Sequence, residues 1–462
     1  MVKLSEHTVI VTNVVKWVFL SIVIGLIVGF TTFLFIKVLD ISVNYSYKNH
    51  FFLFFIPVFF FINGLLVYYL WPKDDVDNTD KVIEHIHKNK QISWKSGLKS
   101  FLLPIITIAG GGSAGKEAPA ADIGASSGSI LGKLFKLNNS DRRKLMICGV
   151  SAGFASVFGT PIAGAIFGVE VLFVGSILYE VLLPSFIAGI VSYQVSSSLG
   201  VKYFSRLEFI PEFSNSFFLK IILAGIIFGL LSYFIIEFFK YSKEFSKRIK
   251  VWLPLKAFIA GSIIAILAFL FSRIYLGLGL EYVEAILEGT KIVWYAFLLK
   301  MLFTSLTLNF GGSGGLITPI LFIGSSAGML LGIILGLDTA TFAAIGLIAV
   351  LAGVANTPIA ASIMAIELFG IGLGKYAAVA AVISFLVTGY RSLYPSQILS
   401  INKSSSIKIV KGRKISNVKV DVNTKNNKLL GYVVTAYKKK ENIEKKIRKK
   451  RKKLKEEIIK NT

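Results

Sequence analysis

Gly111-Gly112-Ser113-Ala114-Gly115-Lys116-Glu117-Ala118-Pro119 is a glycine-rich break inside otherwise apolar sequence, with one carboxylate near its centre. A short apolar run, Phe101 to Ala109, precedes it, and another, Ala120 to Phe135, follows. Neither flank reaches the roughly 20 residues that a membrane-spanning helix needs, so the chain is expected to be interrupted partway across a bilayer. Such an interruption is tolerated only where the backbone is buried in protein or lines a water-filled cavity. The pattern returns further along as Gly311-Gly312-Ser313-Gly314-Gly315-Leu316-Ile317-Thr318-Pro319. Interrupted segments in corresponding positions of two halves point to the binding site of a transporter.

Composition agrees with a chain that lives in lipid. Of 462 residues, 54% are hydrophobic and 13% aromatic, which describes a polytopic membrane protein better than a globular core. Apolar runs at Val14 to Ile36, Phe51 to Trp71, Ile221 to Phe238 and Phe258 to Tyr275 contain few charges. The first lacks a small-residue cleavage site and reads as an uncleaved anchor. A single cysteine, Cys148, excludes an intrachain disulfide.

The net charge of +25 would indicate a nucleic-acid partner if it were spread over a soluble domain. Instead it is concentrated at the end: residues 401–462 hold 21 Lys/Arg against five Asp/Glu. Basic residues beside membrane segments mark the cytoplasmic face. The reading is therefore a multi-pass protein of the cell membrane, its C-terminus cytoplasmic, with the lipid bilayer and no nucleic acid as partner. Within the tail, Ile407 to Val434 has no firm period. Glu441 to Lys460 reads as a basic amphipathic helix, with Ile443, Ile447, Leu454 and Ile458 on one stripe. Binding to anionic lipid and a solvated or disordered end both stay open for it.

The two halves match beyond the glycine breaks. Pro57 and Gly64 recur as Pro254 and Gly261 at an offset of 197, and Thr160-Pro161-Ile162-Ala163 with Glu170 recur as Thr357-Pro358-Ile359-Ala360 with Glu367 at the same offset. Gly25 and Gly229 occupy the opening helix of each half. Ordered matches of this kind are the signature of an internal repeat. The chain divides into membrane repeat one (1–205), membrane repeat two (206–401) and a basic cytoplasmic tail (402–462). The fold class is expected to be all-α, a polytopic integral membrane protein of two internal repeats with broken and re-entrant helices, the repeats inverted or parallel according to whether each holds an odd or an even number of helices.

Helix N-termini carry partial positive charge and unpaired amide donors, and glycine-rich turns let an ion approach them. Two such ends meeting near the midplane would hold an anion without a fixed cation. Conduction needs binding that is firm enough to dehydrate the ion and weak enough to release it.

From about Val14 to Gln397 the sequence resembles the CLC family of chloride channels and proton-chloride antiporters. Gly115-Lys116-Glu117-Ala118-Pro119 resembles that family's G-K/R-E-G-P motif, with Ala118 in place of glycine. Gly315-Leu316-Ile317-Thr318-Pro319 resembles its G-x-F-x-P motif, with Ile317 in place of phenylalanine. Ser392-Leu393-Tyr394 falls where the family's last helix supplies a pore tyrosine. The resemblance implies that Glu117 is a gating glutamate whose carboxylate occupies an anion site when closed. It further implies that Gly115, Lys116, Glu117, Ala118, Gly315, Leu316, Ile317 and Thr318 form the anion site, with the Tyr394 hydroxyl donating on the inner side. An ionisable side chain at such a break is in any case costly in lipid and marks function.

The family's G-S-G-I-P motif is the point of departure, because Val76-Asp77-Asn78-Thr79-Asp80 stands in its place. An ionised Asp77 facing the path would repel an anion, so for an inner site either Asp77 points away or Asn78 or Thr79 supplies the donor. Asp122, early in the helix after Glu117, is expected to complement the helix dipole. The family's exchangers carry protons on an internal glutamate, and that position is Val171 here, next to Glu170. Glu170 and Glu367 are expected to share a structural role at helix ends. His85 and His87, at i and i+2, lie on different helix faces, so no shared metal site is expected.

The expectation is therefore not an enzyme but a chloride channel without cofactor or metal. By resemblance it is voltage-gated, homodimeric and lacks a regulatory CBS pair, and it conducts passively under control of Glu117. Proton-coupled chloride antiport is the alternative within the family. A carrier for a non-halide solute, encouraged by Asp77 and Asp122, is the alternative of another class.

Overall fold

The computed structural model describes residues 2–49, 51–71, 79–204, 207, 209, 214–418 and 421–422. Asp77, Asn78 and the amphipathic stretch 441–460 lie outside the described residues. The elements of the first half are α1 (Val2–Tyr47), α2 (Phe52–Leu70), α3 (Thr79–His87), α4 (Trp94–Ala109), α5 (Glu117–Leu134), α6 (Asn139–Phe158), α7 (Pro161–Glu170), the two-residue strand β1 (Phe173–Val174) and α8 (Tyr179–Ser198). The second half carries α9 (Asn215–Arg248), α10 (Leu253–Leu270), α11 (Leu280–Leu287), α12 (Ala296–Asn309), α13 (Ile317–Leu335), α14 (Thr339–Ala355) and α15 (Pro358–Val387), followed by β2 (Ile398–Leu399), β3 (Ile407–Lys408) and β4 (Asp421–Val422).

Among the described residues seven helical stretches are long and apolar enough to cross a membrane. In α1 that stretch is Glu6–Tyr47, 42 residues. At 1.5 Å per residue it runs to about 63 Å, roughly twice a hydrocarbon core, so it must tilt or project. The helix before the first glycine break starts at Trp94, earlier than the apolar run at Phe101, because Ser93 accepts a hydrogen bond from the Ser96 amide and caps it. After the second break, Ile317–Leu335 is long enough to span by itself, whereas its counterpart α5 contains Asp122 and several Ser and Gly residues. α15 is bent at Gly370, whose φ of 76° departs from helix.

α14 is buried from Ala340 to Ala355, as a helix that is apolar all round should be. It packs on α13 and α15, while α5 packs on α6. The α5–α6 pair is held at backbone distance: a Cβ on Gly124 or on Gly149 would run into the carbonyl oxygen of the other. Small residues at a helix interface permit this approach in lipid, where packing rather than water expulsion drives association.

Residues matched in sequence meet across the middle of the molecule. A Cβ on Gly64 would meet Pro254 Cα at 2.8 Å, and one on Gly261 would meet Pro57 Cα at 2.9 Å. Glu170 at the end of α7 accepts from the amides of Ile359 (3.0 Å) and Ala360 (2.8 Å) at the start of α15. Glu367, within α15, accepts from the amides of Ile162 (3.0 Å) and Ala163 (2.9 Å) at the start of α7. Both contacts satisfy orphan amides at helix starts. Each has its counterpart with the halves exchanged, as a twofold relation requires.

After α15 the chain folds back on the helices. β1 pairs with β2 in parallel, and β3 with β4 antiparallel. Lys414 bonds Glu84 of α3 at 2.8 Å, and the Lys403 ammonium donates to Asn356 Oδ1 (2.7 Å) and to the Phe385 carbonyl (2.6 Å).

Candidate anion site

The two glycine breaks lie side by side. Gly115 and Gly315 exchange amide-to-carbonyl hydrogen bonds, both 2.7 Å, as an isolated antiparallel bridge. The loops are fixed from behind by matching threonines: the Ser113 amide donates to Thr307 Oγ1 and the Ser313 amide to Thr107 Oγ1, each at 2.9 Å. Gly111 and Gly311 take φ of 83° and 116°, values that favour glycine. The chain thereby turns so that α5 begins at Glu117 and α13 at Ile317, two helix heads at one point.

The Glu117 side chain, fully buried, fills the space between them. Its Oε1 accepts from the Ile317 amide and its Oε2 from the Thr318 hydroxyl, both at 2.6 Å. A Cβ on Gly115 or Gly315 would collide with the carboxylate oxygens, which explains the glycines. A carboxylate on amides and a hydroxyl at a helix head is held as a free anion would be.

Of the residues expected at the anion site, Gly115, Lys116, Glu117, Ala118, Gly315, Leu316, Ile317 and Thr318 are brought together. Lys116 caps α5 without a side-chain bond and lies within electrostatic reach of Glu117, Asp40 and Glu284. The part played by the Thr318 hydroxyl, which bonds Glu117, is not visible in the sequence pattern. Tyr394 stands on a turn between α15 and β2, not on the helix the resemblance implied. It is 5% exposed, and burial first, then the charges of Glu117, Asp122 and Asp80, hold its phenol well above the ordinary tyrosine range.

On the inner side, Thr79 opens α3 and donates its hydroxyl to Asp122 Oδ1 at 3.2 Å. Ser100 of α4 donates to Asp122 Oδ2 at 3.4 Å. Asp122 is therefore engaged by two other elements in addition to any role at the dipole of its own helix. Asp80 accepts from the Ser396 amide (2.8 Å) and hydroxyl (3.1 Å), a contact the sequence did not disclose. Val171 is fully buried, and its carbonyl accepts from Gln397 at 2.9 Å. His85 bonds the Lys81 carbonyl and His87 the Leu172 carbonyl, on separate sides of α3.

Residues 58–389 match the family described as voltage gated chloride channel. The chain belongs to that family. Anion transport through a multi-pass membrane protein is its activity, and the family is one of channels and transporters. A chloride/fluoride channel protein of Pseudomonas syringae pv. tomato is 33% identical over 402 residues, covering 85% of this chain and 88% of that protein. A solved CLC-type fluoride/proton antiporter superposes with a TM-score of 0.78 at 27% identity, over 84% of this chain and 98% of that one. A slow cyanobacterial Cl-/H+ antiporter superposes at 0.71 with 18% identity, over 81% and 94%, and shows the shared fold.

Proposed function

We propose that this chain exchanges a small halide, fluoride in preference to chloride, for a proton, with Glu117 acting as both gate and proton carrier. The observation that carries this reading is the seat of the Glu117 carboxylate on Ile317 and Thr318. A halide reaches those donors only when the carboxylate leaves. Leaving as an anion would strip a buried charge of its hydrogen bonds, at a cost of several kcal/mol. Leaving as the neutral acid avoids most of that cost, so entry of a halide is linked to uptake of a proton. Proton and halide then use the same residue in alternation, and strict alternation at one station is exchange. Fluoride, the most compact halide and the strongest hydrogen-bond acceptor among them, suits donors that already hold an oxygen at 2.6 Å. The names of the Pseudomonas relative and of the solved fluoride/proton antiporter support the choice.

Passive chloride conduction is the second reading, favoured by Val171 in place of the family's internal glutamate. The two separate in liposomes holding the purified chain, read with a fluoride electrode. Under exchange, a proton gradient drives fluoride against its own gradient; under conduction, fluoride only runs down. Glu117→Gln is expected to retain halide flux and lose the uphill movement. In keeping with the resemblance, we assign two membrane repeats (1–205 and 206–401), each copy paired in a homodimer in the cell membrane. The basic tail (402–462) faces the cytoplasm.

A further inference from the structure

The end of α9, the start of α10 and the last turn of α12 enclose a cleft of about 190 Å³. Phe245 and Ile249 form one side, Ile259 and Ile263 the second, and Leu306 and Phe310 the back. Lys256 is the one polar side chain on its wall, and its ammonium donates to the Ser246 carbonyl at 2.6 Å, closing the end of α9. The back is tied to α9: the Ser246 hydroxyl donates to the Asn309 carbonyl, and the Asn309 amide donates to Ser242 Oγ at 3.1 Å. Phe245, Ile259 and Ile263 are 61%, 48% and 40% exposed, so the cleft opens on the lateral surface that lipid covers.

Two further observations place it at the level of the headgroups. Trp252, in the turn between α9 and α10, meets Phe61 and Tyr68 edge-on, with ring centres 5.9 and 6.3 Å apart, and Tyr241 is exposed one helical turn before the cleft. Exposed Trp and Tyr gather where hydrocarbon gives way to water. The turn is also strongly basic. From 240 to 256 the chain holds six Lys/Arg against one carboxylate, Glu244. Among the described residues Lys247, Arg248 and Lys250 enter no ion pair. Basic clusters at the end of a membrane helix attract anionic lipid headgroups.

We propose that the α9–α10 turn is a binding site for an anionic phospholipid, with a stretch of acyl chain in the apolar cleft and the phosphate on Lys247, Arg248 and Lys250. A bare phosphate has nothing to gain from the cleft, and a zwitterionic lipid gains less from the three cations; an anionic phospholipid satisfies both. Its chain fills space that water would occupy at a cost. Because Phe310 precedes Gly311 of the second glycine break, the bound lipid braces the turn of α12 that leads into the loop carrying Gly315.

The test uses the full chain in neutral detergent with phosphatidylglycerol that carries a photoreactive diazirine on its acyl chain, followed by peptide mass spectrometry. Label is expected on 259–263 of α10 and 306–310 of α12 in preference to Phe19 and Phe30 of α1, which are 58% and 55% exposed and serve as ordinary lipid-facing controls. Unlabelled phosphatidylglycerol should displace it better than phosphatidylcholine does. That preference is expected to fall by about fivefold for each of Lys247, Arg248 and Lys250 replaced by Gln. Ile259→Trp, which fills the cleft from its lipid-facing rim, should remove the label from 306–310 and leave that on Phe19 unchanged. The Gln variants leave the cleft untouched, so they decide the matter even if Ile259→Trp does not fold. Label as strong on α1 as at the cleft, or equal displacement by phosphatidylcholine, would reduce the site to ordinary surrounding lipid and overturn the proposal. Displacement by inorganic phosphate as effective as that by phosphatidylglycerol would overturn it in favour of a bare anion site.

Discussion

Glu117 is held by two bonds of 2.6 Å that come from the other half of the chain. A hydrogen bond to a charged group is worth about 1.5–3 kcal/mol. Removing the hydroxyl in Thr318→Val takes a donor from the seat that carboxylate and halide share, so the affinity for fluoride in the Glu117→Gln background, where no carboxylate competes, is expected to fall by about tenfold or more. Flux titrated against fluoride in that background checks this, and an unchanged half-saturating concentration would assign Thr318 no part in the seat. Glu117 was legible in sequence because an ionisable residue at a break in apolar sequence is costly unless it is used. The Thr318 hydroxyl was not, because its role depends on which way a side chain turns toward a residue 201 positions away. Asp122 was read as a local dipole partner because Thr79 and Ser100 lie on other elements, 43 and 22 positions off.

Between α7 and α15 the stabilising device is reciprocal, since each helix start is closed by a glutamate from the other helix. Glu170→Gln or Glu367→Gln replaces a charged acceptor of two amides with a neutral one. Each is expected to cost about 1–3 kcal/mol of stability, read as a lower unfolding temperature in detergent, and no loss in either would refute the clamp. At the far end of α3 two ionisable groups answer to pH in different windows. Burial first, then Arg143 and Lys414, push His87 down to about 4 against the bond to the Leu172 carbonyl. Between its ordinary 6.5 and about 4 the unfolded chain takes up a proton that the folded chain refuses. Stability at this contact therefore falls as pH falls through that range. Glu84 is pushed down to about 2 by bonds from Lys414 and Lys88. Its contribution is full above about 4.5 and is lost only as pH falls toward 2. Acidifying from 7 to 5 should thus loosen the contact that His87 makes with the Leu172 carbonyl, seen as faster hydrogen exchange at the end of α3 and reduced in His87→Asn. The repeat in sequence paired Glu170 with Glu367, although only Glu170 closes its helix and Glu367 lies within α15. It gave no sign that they serve each other's helices, because that requires the halves to be placed against one another.

At the scale of the molecule, the apolar runs and the doubled glycine breaks sufficed to place the chain among polytopic helical membrane proteins. Their meeting at the Gly115–Gly315 bridge brings the site together. The head of α3 was less legible, because Asp80 and Asp122 are fixed by Ser396, Thr79 and Ser100, residues scattered through the chain. In the proposed exchange, one carboxylate at two converging helix heads trades places with a halide and carries a proton as it does so. The most direct measurement is the reversal potential of the purified chain in lipid, with equal fluoride on both sides and a pH difference across the membrane. A reversal potential displaced from zero in the wild type, and returned to zero in Glu117→Gln with flux retained, is the predicted result. A wild-type reversal potential of zero with measurable fluoride flux would contradict it.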